Sequence, residues 1–234
     1  MRIITDVNRI ARGARLGKIL VFGSLGFLVA GLVLALRLTQ LYYVWLSLAC
    51  LAIALVTTTI GFAFMNRWVR EPRADQALAA GLKGLDERHR LYNYTLPAPH
   101  VLLAPNGLFV LTAMGQDGAI RYEGKFHRRF SVTRLLRFLS DEGLGRPFVE
   151  GDRQVSALNQ LLRQNGIEDV EVQNLVVFYN PRVQLEAIDP PRPVLLPGGL
   201  KRLIRAQSKL SLARYRQLQD LFEESTQTRA AARA

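Results

Sequence analysis

Two apolar stretches near the N-terminus, Ile19 to Leu36 and Leu38 to Met65, separated by the single Arg37, constrain this chain more than any other feature. An α-helix rises about 1.5 Å per residue and a bilayer's hydrocarbon core is roughly 30 Å thick, so each stretch is long enough to cross a membrane. The pattern predicts a two-helix transmembrane hairpin over residues 19–66. A signal peptide has an apolar core of only about 7–15 residues followed by a small-residue cleavage site. Here the runs are longer, and the second leads into Phe62, Phe64 and Trp68. Arg2, Arg9, Arg12, Arg15 and Lys18 precede the first span, and Arg67, Arg70 and Arg73 follow the second. Positive flanks at both ends predict that both termini, and everything beyond the hairpin, are cytoplasmic.

Arg37 can extend its head to the interface, and no other acidic or basic side chain lies between Ile19 and Met65. Ion and proton paths need charge inside the membrane, so the hairpin is expected to be an anchor rather than a channel or transporter. Tyr42, Tyr43, Trp45 and Trp68 suit headgroup levels, and Gly26 with Ala30 forms a small-xxx-small pair expected where the spans meet. Cys50, the one cysteine, lies in the second span, which excludes an intrachain disulfide and a thiolate zinc site. His89, His100 and His127 have no metal-ligand spacing.

A formal charge of +12 suggests nucleic acid until it is divided along the chain. Residues 1–73 hold nine basic against two acidic side chains, residues 74–195 fourteen against fourteen, and residues 196–234 eight against three. The excess therefore sits beside the membrane and in the C-terminal segment, where anionic lipid accounts for it. The neutral middle lacks a phosphate-binding footprint, apart from a local group of Arg128, Arg129, Arg134 and Arg137 that reads as a solvated face. The lipid bilayer and an unidentified protein are the expected partners, and nucleic acid is not favoured.

The organisation that follows is a basic N-terminus at 1–18, the hairpin at 19–66, a linker at 67–74, one domain at 75–225 and a flexible tail at 226–234. Asp75 reads as a helix N-cap ahead of Leu78, Leu82 and Leu85. Val101–Leu103 and Leu108–Thr112 flank Pro105-Asn106-Gly107 as a strand hairpin, and Ala119–Glu123 follows the turn Gln116-Asp117-Gly118. Val132–Leu139 predicts a short helix, and Asp152 the start of another that ends at Asn165-Gly166. Val170–Tyr179 reads as a buried strand, and Leu200–Phe222 as one amphipathic helix covering the sheet. This order implies an α/β fold, a small mixed sheet flanked by helices.

The stretch His100-Val-Leu-Leu-Ala-Pro-Asn-Gly-Leu-Phe-Val-Leu111, with Gly118-Ala-Ile120, Gln154 and Val176-Val-Phe-Tyr-Asn-Pro181, resembles the nuclease-related domain, NERD, over about residues 75–222. That resemblance implies the restriction-endonuclease-like fold. It also implies a metal site built from an acidic residue at a strand start and a Glu-x-Lys element, since hard cations take carboxylate oxygens and a bound metal generates hydroxide. The family's Asp-His falls on Pro99-His100 and its Glu-Thr-Lys on Thr112-Ala113-Met114. Pro99, Thr112 and Met114 supply neither carboxylate nor ammonium, so no catalytic residue, metal or cofactor is expected. Asp75 and Gln154 match polar positions of the family and remain fallback candidates, read here as a cap and a surface hydrogen-bonding group.

Glu123-Gly124-Lys125 spells Glu-x-Lys one strand later, with Asp117 upstream. An extended strand at about 3.3 Å per residue holds Asp117 roughly 20 Å from Glu123, too far to share one cation. A phosphate loop and a Gly-x-Ser-x-Gly nucleophile elbow are both missing. The expectation is a membrane-anchored, catalytically degenerate binding or scaffold module. Two alternatives stand beside it: a magnesium-dependent tethered nuclease with a site rebuilt around Glu123 and Lys125, and a structural protein that self-associates through its hairpin.

Overall fold

A computed structural model describes residues 1–36, 40–128, 143–207 and 210–231. The expected helix at Val132–Leu139 lies outside the described residues, as do Arg37, Arg129, Arg134, Arg137 and Lys209. The chain divides into two compact units.

One unit contains the hairpin helices α1 (Val7–Ala35) and α2 (Leu41–Trp68). Both are long and apolar enough to cross a membrane, and only 11% of the most apolar window of each is buried. Their seam follows a repeat of seven: Ile10, Gly17, Ser24 and Gly31 on α1, and Ser47, Ala54, Gly61 and Trp68 on α2. A seven-residue repeat keeps one stripe facing the partner helix, and small residues let backbones approach where apolar burial supplies no driving force. A Cβ added at Gly13 would stand 2.6 Å from the Trp68 indole, and one at Gly61 would stand 2.9 Å from Val21. The Ser47 hydroxyl donates to the Gly31 carbonyl at 3.0 Å. Gly26 and Ala30, expected at this seam, instead face outward, with nothing near Gly26. The pair is offset from the seven-residue register, and register decides which face a helical residue occupies.

The other unit comprises residues 1–6 with the rest of the described chain from Ala74 onward. Its larger sheet runs in the order β1-β2-β3-β4-β7-β9, with β1 (Arg2–Thr5), β2 (Arg90–Asn93), β3 (His100–Ala104), β4 (Gly107–Met114), β7 (Val172–Phe178) and β9 (Val194–Leu195). β2, β3 and β4 are antiparallel neighbours, while β1 joins β2, and β7 joins β4 and β9, in parallel. A smaller sheet, β6-β5-β8, combines β5 (Gly118–Glu123), β6 (Lys125–Arg128) and β8 (Val183–Ile188).

Both faces of the large sheet are buried, which explains why its central strands are nearly continuous apolar runs. Leu91, Leu102, Phe109, Leu111, Leu175 and Val177 pack with Leu78 and Leu82 of α3 (Ala74–Leu82) and with Leu200 and Ile204 of a short C-terminal helix. Tyr92, Val101, Leu103, Leu108 and Val110 pack with Leu158 and Leu162 of α4 (Pro147–Gln164) and with Leu218 and Phe222 of the last helix. Each fully buried side chain of this size contributes about 1.5–3 kcal/mol. Val176 and Phe178, farther along β7, join Ile120 in a third cluster with Phe126 and Phe148.

Several boundaries differ from the sequence reading. The stretch 1–18, read from charge alone as a basic flank, holds β1 and the first three turns of α1. α4 begins at Pro147 rather than Asp152, because proline's fixed φ suits a first helical position. It ends as expected at Asn165 and Gly166, the glycine taking a φ of 71°. The expected single C-terminal helix is two, α5 (Leu200–Arg205) and α6 (Leu212–Ala231), so the helix continues into the stretch read as a flexible tail.

Candidate functional site

Of the positions that the family resemblance assigns to a metal site, Thr112 and Met114 stand on the α4 face of the large sheet. Thr112 and Met114 lie two apart on β4 and therefore share a face, and Pro99 immediately precedes β3. β4 pairs in parallel with β7, placing Thr112 beside Val176 and Met114 beside Phe178. Asn174, two residues before Val176, points the same way.

These residues form a closed, uncharged contact. The Thr112 hydroxyl donates to Asn174 Oδ1 at 2.8 Å, with Thr112 1% and Asn174 5% exposed. Asn174 Nδ2 has no hydrogen-bond partner and lies against α4 at Gly151, where an added Cβ would stand 1.8 Å from it. Gly151 is therefore required by close approach rather than by backbone conformation. One turn on, Gln154 Nε2 donates to the exposed Glu150 carboxylate at 3.0 Å.

A divalent cation needs oxygen ligands at about 2.0–2.6 Å, several of them charged. Thr112 and Asn174 instead spend a hydroxyl and a carbonyl oxygen on each other, and Met114 packs among apolar neighbours. The residues at these positions do not fit a metal. Among the described residues no three His, Cys, Asp or Glu side chains group closely enough to hold one.

The fallback residues are dispersed. Asp75 is buried in the first turn of α3, where helix polarity favours a carboxylate. Glu123 ends β5 in the small sheet, paired with Arg121 at 2.7 Å. Lys125 sits opposite Glu123 across Gly124, whose φ of 67° makes the turn. Asp117 lies just before the extended β5, at the end opposite Glu123, and pairs with Arg128. That pairing removes Arg128, 8% exposed, from the surface basic group the sequence suggested.

A second polar line crosses the start of the sheet. His100 Nδ1 lies 2.8 Å from Asn93 Oδ1, and Asn93 Nδ2 donates to Thr5 Oγ1 at 3.1 Å, tying β3, β2 and β1 together. The Tyr94 ring meets His100 edge-on at 4.8 Å. Titratable groups with shifted pKa values cluster at the β2–α6 contact instead. Burial pushes Tyr92 up to about 12 and also raises Tyr215, whose hydroxyl donates to the Arg88 carbonyl at 2.6 Å. Burial pulls Arg90 down, but its hydrogen bond and charge interaction with Glu223, together with its interactions with Tyr92, outweigh this, so its pKa rises. The hydrogen bond from Arg88 holds Asp86 below the ordinary carboxylate value.

Residues 68–179 match the family model of NERD, the nuclease-related domain. This stretch is similar to a nuclease-related domain. The mixed α/β architecture, with two long apolar helices ahead of the sheet, is consistent with that family. No curated protein and no solved structure matches the chain. Asn174 and Gly151 were missed by the sequence reading. The detectable signal was a polar pair, Gln173-Asn174, inside an otherwise apolar buried strand of the nuclease-related domain.

Proposed function

We propose that this chain is a membrane-anchored nuclease-related domain that has lost metal-dependent hydrolysis and serves as a binding or scaffold module at the cytoplasmic face of the bilayer. The Thr112–Asn174 hydrogen bond against Gly151 carries the reading. A buried, neutral pair joined by one hydrogen bond, with Asn174 Nδ2 left unpartnered, includes Thr112, the position where the family's chemistry calls for a carboxylate.

The anchoring draws support from the sheet. β1 precedes the first long helix and β2 follows the second, yet they pair residue for residue from Arg2 with Arg90 to Thr5 with Asn93. Such pairing requires an even number of crossings between them, which suits a hairpin. It does not suit a cleaved leader, whose removal would take β1 away. The basic flanks favour the cytoplasmic side for both ends.

The test uses the full chain in detergent, because a fragment starting at Ala74 lacks β1. Magnesium and manganese are titrated in, and DNA and RNA cleavage is assayed beside Glu123→Gln. The reading expects neither saturable metal binding nor cleavage from folded protein. Cleavage that Glu123→Gln abolishes would overturn it in favour of a rebuilt nuclease site at Glu123 and Lys125.

A further inference from the structure

The segment from Val7 to Arg70 contains no carboxylate, yet it carries seven basic residues, six of them near the ends of the hairpin that adjoin β1 and α3. α1 has 29 residues, more than the roughly 20 that span a hydrocarbon core. Its first turns, through Lys18, therefore continue past the apolar run as a rigid helix. Within them Arg12, Arg15 and Lys18 recur every third residue and are exposed, while Ile10, Gly13 and Gly17 turn toward α2. Three residues turn a helix by 300°, so the cations sweep an arc of the outer surface over about 9 Å of helix length.

The glycines fix what stands at the same level on α2. Gly13 lies against the Trp68 indole, and Gly17 against Phe64 and Met65. Arg67 and Arg70, both exposed, are adjacent in sequence to this level, and the Arg67 guanidinium lies 5.3 Å from the Trp68 ring centroid. Indole at an apolar boundary marks the interfacial depth of a membrane helix. Among the described residues no carboxylate pairs with Arg12, Arg15, Lys18, Arg67 or Arg70.

We infer that these five cations form a collar that binds the phosphate headgroups of anionic phospholipids in the leaflet on the domain's side. Arginine's planar fork matches phosphate oxygens two at a time, and the close approach at Gly13 and Gly17 holds cations of both helices at one depth. The collar selects anionic over zwitterionic lipid, since choline headgroups bring their own positive charge to the same surface. This inference rests on the membrane-crossing part of the proposed function and is independent of the fate of the nuclease site.

The experiment reconstitutes the full chain in nanodiscs of phosphatidylcholine mixed with phosphatidylglycerol and counts the lipids retained on the released protein by native mass spectrometry. Wild type is expected to retain phosphatidylglycerol preferentially. Arg15→Gln is expected to lower that preference about fivefold, as follows from the usual strength of one juxtamembrane cation. Arg15→Lys, which keeps the charge, is expected to retain most of it and so separates charge from helix integrity. Equal retention of both lipids by inserted wild type, or an unchanged preference in Arg15→Gln, overturns the collar and leaves the anchor standing. Failure of the chain to enter the bilayer overturns both.

Discussion

Thr112 stands on β4 with 1% of its surface exposed and its hydroxyl committed to Asn174, whereas the side chain of Glu123, at the end of β5, is half exposed and paired with Arg121. The first place has the enclosure that metal-dependent hydrolysis uses and no charge. The second has charge, with Lys125 opposite and Glu186 sharing Arg121, but no enclosure. Electrostatic catalysis requires both at once, because fixed charges act strongly only where water is excluded. The comparison teaches that enclosure and charge occupy separate places in this sheet system.

Placing a carboxylate at Thr112 should cost most. Thr112→Glu would bury an anion facing Asn174 Oδ1, and an uncompensated buried charge costs about 3–5 kcal/mol. Urea denaturation of the full chain in detergent should show that loss at neutral pH. A Thr112→Glu protein that stays stable and binds magnesium would break the comparison, since the slot would then still accept a metal.

Gly151→Ala comes next. Its Cβ would stand 1.8 Å from Asn174 Nδ2, and overpacking of this severity costs about 3 kcal/mol, or roughly 6–12 °C in Tm. The double variant Gly151→Ala with Asn174→Ala should recover most of the loss. No recovery would mean that α4 and β7 do not meet through these two residues.

The charged periphery should respond to acid, and weakly. Asp86 has a folded pKa below its ordinary 3.8, first through its hydrogen bond from Arg88. Its contribution to stability is complete above pH 3.8 and is lost as the pH falls through the lowered folded value. Asp86→Asn should therefore lower Tm slightly at neutral pH, leave it unchanged below the folded pKa, and so flatten the acid limb of a Tm-versus-pH curve.

Glu123→Gln should change least, within about 0.5 kcal/mol, because exposed ion pairs contribute little. A larger loss of stability would show that Glu123 does more than decorate the sheet end.

The sequence made the long helices, β3, β4, β5 and β7 legible, since each is a run of apolar residues closed by turn residues such as Pro105-Asn106-Gly107. β1 was hidden because four residues, Arg2 to Thr5, carry too little pattern, and their partner lies beyond two helices. β9 is shorter still, and β8 alternates in exposure because only one of its faces is covered. At the site, residue identity alone shows that Pro99, Thr112 and Met114 supply neither carboxylate nor ammonium. What fills the place could not be read, because Asn174 reaches Thr112 from a strand 62 residues away and Gly151 matters only for what it lacks.

The position of β1 also imposes an order on the chain's biosynthesis. Arg2 to Thr5 leave the ribosome before either long helix, and their partners Arg90 to Asn93 leave it after both. The edge of the sheet must therefore wait, unpaired, until the hairpin has been made. Until β2 has been made, Arg2 to Thr5 have no strand to pair with, so this edge of the sheet can close only late.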